Sequence, residues 1–101
     1  MKPETEEWIE KAEGNWSFVQ WSMQADEPVW DVICFLCQQC GEKYLKAFLE
    51  EQGINFPKTH DLVLLLNLSA GLLPELLTHK QELAYLTALS VATRYPGMAV
   101  S

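Results

Sequence analysis

Gln39, Glu42 and Lys46 follow one another at spacings of three and four residues. On a helix this puts an amide, a carboxylate and an ammonium on one face. Two readings of the strip stand side by side. Glu42 four residues before Lys46 is the favourable order for an ion pair, and on a solvated face it contributes about 0.3–0.5 kcal/mol. Beside an apolar seam, the same strip can instead hydrogen-bond a ligand or the polar end of a partner. Arg94 and Tyr95 form a second candidate pair. The guanidinium is planar and always charged, which suits phosphate or carboxylate. At the end of a helix it equally complements the dipole, and an ion pair with Glu42 would need no ligand. His60 and Asp61 follow Thr59. A catalytic base needs a reacting group within reach, and no nucleophile is near in sequence, so a capping cluster is the favoured reading.

Cys34, Cys37 and Cys40 have the two-residue gaps of some iron–sulfur sites. Such sites need a loop and a fourth ligand, and zinc also needs four ligands, whereas the chain has three cysteines. On a helix the three thiols fan over about 120°. They read as small buried residues packing a seam, with no metal and no cofactor expected.

Four helices must position these residues. Trp8, Ala12, Trp16, Val19 and Met23 recur at helical spacing and predict a first helix from about Thr5 to Met23 or Gln24. Glu4, Glu6 and Glu7 suit the positive end of its dipole. The tryptophans Trp8, Trp16, Trp21 and Trp30 read mostly as core, with Trp21 off the stripe and marking an interface. Pro28 breaks the chain. A second helix runs from near Val29 to near Gly53, carrying the candidate strip. A third begins after Thr59, read as its N-cap, presents Leu62, Leu65 and Leu66, and stops at Gly71. Pro74 opens a fourth, continuous to about Thr93. No alternating strand pattern appears. The expectation is one all-α domain over residues 1–101, an antiparallel up-and-down four-helix bundle.

Composition sets the limits on function. Hydrophobic residues make up 49% of 101 and charged residues 21%, a globular balance. The formal charge is −7 and the pI about 4.6, so phosphate backbones are repelled at long range and non-specific DNA binding is not expected. The longest apolar stretch, Leu62 to Leu73, contains Asn67 and Ser69 and falls short of the roughly 20 residues that span a bilayer. The acidic N-terminus is unlike a signal peptide, and the odd cysteine count suits a reducing cytoplasm.

Three blocks together resemble the HEPN domain family. The run from Phe35 through Gln38-Gln39, Glu42 and Lys46-Ala47 to Leu49 resembles its long second helix; Lys58-Thr59-His60-Asp61-Leu62 resembles the turn into its third; Arg94-Tyr95-Pro96 resembles a signature near the end of its fourth. Their order and spacing match from about Trp8 to Gly97. The resemblance implies a four- or five-helix bundle that dimerises and associates with nucleotides or RNA. The sequence ends where the family usually adds a further helix. Many members pair with a minimal nucleotidyltransferase in toxin–antitoxin-like systems. Carried over to this chain, Arg94 and Lys46 would neutralise phosphate and Glu42 and Gln39 would orient it or the base, with Tyr95 and His60 beside them. Some members are metal-independent ribonucleases, recognised by an Arg followed four to six residues later by His. No His follows Arg94, so enzymatic cleavage is not expected. A ribonuclease toxin and a purely structural helical dimerisation module are the alternatives.

Overall fold

A computed structural model describes residues 1–92; Arg94 and Tyr95 therefore lie outside the described residues. The first helix, α1, spans Pro3–Ser22 and α2 spans Trp30–Glu51. They are joined by a turn that ends at Pro28, and they pack against each other. The third helix, α3 (Leu62–Ala70), and α4 (Lys80–Ala92) pack on α2 and on each other. Among the described residues there is no strand, and the architecture is an all-α bundle with α2 at its centre.

Pro3 occupies the first turn of α1, where its missing N–H costs nothing, with Glu4 and Glu6 beside it. The buried residues of α1 are Thr5, Ala12 and Val19, seven apart, with Trp8 and Asn15 half-buried between them and Ser22 half-buried one turn further on. This is the narrow seam of a helix pair, not the broader stripe expected from the sequence. Trp16 and Met23, placed on that stripe by spacing, lie on its flank and are exposed. Trp21 and Trp30 are exposed too, so the tryptophans are not core residues; Trp8, half-buried, comes nearest. A helix facing one neighbour has too narrow a contact line to bury side chains at both the three- and four-residue flanks.

At its C-terminus α2 closes with a Schellman motif. The Ile54 N–H donates to the Leu49 carbonyl at 2.9 Å and the Gly53 N–H to the Glu50 carbonyl at 3.1 Å. Gly53 takes the left-handed φ of 69° that this motif requires. The cap of α3 is Asp61, not Thr59: the Asp61 carboxylate accepts from the N–H groups of Val63 (3.0 Å) and Leu64 (3.3 Å). Thr59 stands one step back, its hydroxyl oxygen accepting from the Asp61 N–H. Leu62, Leu65, Leu66 and Ser69 form the buried face of α3. The expected single helix from Pro74 is two pieces, a 3-10 segment over Pro74–His79 followed by α4.

Candidate functional site

Gln38, Glu42 and Lys46 recur every four residues on α2, and all three are buried. Successive members of such a row turn by only about 40° around the helix, so their polar ends lie in one line. The loop before α3 crosses this line and brings His60 onto it. The Gln38 Nε2 amide donates to the His60 carbonyl at 2.7 Å and to Glu42 Oε1 at 3.3 Å, using both of its N–H groups. Gln38 Oε1 accepts from Gln39 Nε2 at 2.9 Å. Gln38 is thus fully engaged, and it ties the α3 approach to α2.

Glu42 is the hub. Its Oε2 accepts from Lys46 Nζ at 3.0 Å and its Oε1 from His60 Nδ1 at 2.7 Å. A carboxylate only accepts, so Nδ1 carries the proton and Nε2 faces outward. The Lys46 and Glu42 side chains are 7% and 4% exposed, while that of His60 is 68% exposed. Burial pushes the Glu42 carboxyl up, but the hydrogen bonds from His60 and Lys46 and the Lys46 charge outweigh it, holding it below its ordinary value of 4.5. Glu42 is therefore ionised near neutral pH and serves as an acceptor, not as a general acid. The Lys46 ammonium also sits 5.2 Å from the centroid of the Trp8 ring, a cation–π distance.

Beside this network lies a cleft of about 470 Å³, walled by Trp8, Phe56 and Pro57 and edged by Lys58, Thr59 and His60. The Trp8 and Phe56 rings meet edge-on, 6.4 Å apart. The site combines an aromatic wall, a compensated ion pair as floor, and a rim carrying an ammonium, a hydroxyl and an imidazole. That is recognition chemistry: a flat apolar group against the wall and an anionic or hydrogen-bonding group at the rim.

Of the residues singled out in the sequence, Glu42, Lys46 and His60 are brought together here. The solvated reading of the Glu42–Lys46 pair is corrected, since both charges are buried. Gln39 reaches the network only through Gln38 and does not line the cleft. Gln38, Trp8, Phe56 and Lys58 were not among the candidate site residues. The four-residue row Gln38, Glu42, Lys46 was the available signal for Gln38, and the Lys58–Leu62 block was the signal for Lys58; nothing local marks Trp8 or Phe56 as site residues, and they arrive from α1 and the loop after α2. The cysteines are free thiols, with Cys37 and Cys40 pushed up chiefly by burial and further by a neighbouring thiol. Among the described residues no cluster of three or more His, Cys, Asp or Glu side chains is arranged to hold a metal ion, and no helix is long and apolar enough to cross a membrane.

The family model for the HEPN domain matches residues 5–101. Comparison with curated proteins and with solved structures found no match.

Proposed function

This chain belongs to the HEPN domain family, and on that premise we propose that it is an accessory module whose Trp8–Lys46–His60 cleft binds a nucleotide or the end of an RNA. The observation that carries this reading is the juxtaposition of a half-buried indole, an ammonium 5.2 Å above it and a rim of Lys58, Thr59 and His60 in one cleft. A base packs on the aromatic wall, while Lys58, the Thr59 hydroxyl and His60 Nε2 meet the phosphate. Lys46 and Glu42 set the floor, Glu42 orienting His60. Arg94 and Tyr95, with Gln39 behind Gln38, complete the set drawn from the family resemblance.

Calorimetric titration of the purified chain with adenosine and guanosine monophosphates tests this. Saturable binding that weakens about tenfold in Lys58→Ala, a loss of about 1.4 kcal/mol, supports it. Lys46→Ala also weakens binding, but it disturbs the interior, so the rim variant is the cleaner probe. No heat with any mononucleotide at millimolar concentration would remove the nucleotide reading and leave the structural dimerisation module.

The finer part of the reading is that the module acts beside a minimal nucleotidyltransferase in a toxin–antitoxin-like pair, and as a homodimer. It rests on the family resemblance and on the slender margin of a small domain that gains from association. Purification from the host followed by mass spectrometry of what accompanies the chain tests both partners.

A further inference from the structure

At the opposite end of the α1–α2 pair, about 250 Å³ of open cleft lies between Phe18 and Trp21 of α1 and Val29, Val32 and Ile33 at the start of α2. Four of these five apolar side chains are exposed, Trp21 by 69%. The Phe18 and Trp21 rings are 5.5 Å apart, forming one aromatic wall. The volume falls below the roughly 300–1,000 Å³ of small-molecule pockets and suits the anchoring side chain of a protein partner. Exposed aromatic clusters of this kind mark interaction surfaces.

The rim identifies the occupant. Glu27 lines the cleft, and Asp26 and Asp31 flank it along the connecting turn and the first turn of α2. Between Lys11 and Lys43 the chain has no lysine, arginine or histidine. Lys43 itself is turned to Asn15, at 2.7 Å, further along the bundle. The cleft is thus apolar at its centre, the charged residue in its lining is the anionic Glu27, and Asp26 and Asp31 are close to it in the chain. A second copy seated here by two-fold symmetry would bring the same patch against itself, closing Asp26, Glu27 and Asp31 into one interface with three more carboxylates and with no lysine, arginine or histidine from residues 12–42 to offset them, and like charges oppose pairing. An anionic lipid surface is opposed for the same reason.

We propose that this cleft docks a basic amphipathic segment of another protein, with one large apolar side chain between Trp21 and Val32 and lysines or arginines against Asp26, Glu27 and Asp31. This surface is separate from the Trp8 cleft and does not depend on nucleotide binding.

The test uses the whole chain and two synthetic helical peptides of leucine with lysine or with glutamate in the same pattern. Affinity is read by titration, and location by chemical-shift changes. The lysine peptide should bind with shifts centred on Phe18, Trp21, Val29 and Val32, and the glutamate peptide should not. Trp21→Ser should weaken the lysine peptide about tenfold or more, as loss of an aromatic anchor does, while Trp16→Ser, on another side of α1, should leave it unchanged. Both tryptophans are exposed, and circular dichroism checks that each variant is folded. Shifts spread away from the cleft, equal binding in Trp21→Ser, or equal binding of the two peptides would overturn the proposal. A dimer of the chain alone that buries Trp21 would overturn it in favour of a second copy.

Discussion

At the scale of single residues, the interior of this domain holds a charge that must stay compensated. Glu42 is buried with the Lys46 ammonium as its ion-pair partner and His60 Nδ1 as a further hydrogen-bond donor. Removing one partner of a buried pair costs about 3–5 kcal/mol when the remaining charge is stranded. Because His60 and Gln38 still reach Glu42, Lys46→Ala should cost somewhat less, about 2–3 kcal/mol, seen as a lower urea midpoint. Glu42→Leu combined with Lys46→Met should cost less than Lys46→Ala alone, since no charge is left buried; a double variant weaker than the single would show that the pair contributes net stability. The lowered Glu42 carboxyl has a second consequence. The unfolded chain takes up a proton at this position more readily than the folded one, so the contribution is complete above the ordinary value of 4.5 and is lost as pH falls through the lower, folded value. Glu42→Gln should therefore lose less stability than the parent between about pH 6 and pH 3.5, measured by denaturant unfolding at each pH. Glu42, Lys46 and His60 were legible in the sequence as candidates; the burial of Glu42 and Lys46 was not. Spacing tells which side chains share a face, but what covers the face, here the loop carrying His60, is decided by packing from elsewhere in the chain.

At the scale of elements, helix ends were easier to read than helix faces. Gly53 and Gly71 do lie at the ends of α2 and α3, but the backbone constraint that a glycine meets applies at Gly53. Only Gly53 uses the left-handed conformation; Gly71 has φ −59°. A Cβ at Gly53 would meet only Lys2 Nζ at 3.8 Å, an ordinary contact. Gly53→Ala should then destabilise by about 1–2 kcal/mol through backbone strain alone, and Gly53→Asn by less, because asparagine tolerates this conformation. Asp61 holds two otherwise orphaned N–H groups of α3, so Asp61→Ala should cost about 1 kcal/mol, a drop in Tm of about 4–8 °C for a domain of this size. Thr59→Ala should cost less; a larger loss there would return the cap to Thr59. Thr59 and Asp61 are both good capping residues two positions apart, and propensity does not choose between them. The seam of α1 was hidden for a different reason. Tryptophan at helical spacing looks like core until the number of neighbouring helices is known, and among the described helices α1 packs on α2 alone.

At the scale of the whole molecule, the formal charge of −7 limits what the Trp8 cleft can hold. Glu4, Glu7 and Glu50 gather beside Trp8, where Lys11 is already paired with Glu7 at 3.8 Å, so the rim formed by Lys58 and His60 is local, and the described residues next to it carry an excess of negative charge. One phosphate can be met there, whereas the successive phosphates of a strand would run into like charge. The domain should therefore bind a mononucleotide about as well as it binds the end of a 20-nucleotide RNA, with little gain from length. Salt separates the two cases. A surface making 6–10 phosphate contacts loses roughly 10³–10⁵ in affinity between 50 and 200 mM salt, while a site meeting one phosphate should lose only about threefold to fourfold over the same range. Fluorescence anisotropy with labelled mononucleotide and labelled 20-nucleotide RNA, at both salt concentrations, reads this directly. Affinity that climbs with strand length and collapses with salt would mean that a basic surface outside the described residues extends the site, and Arg94 is the residue whose substitution should then remove the length dependence.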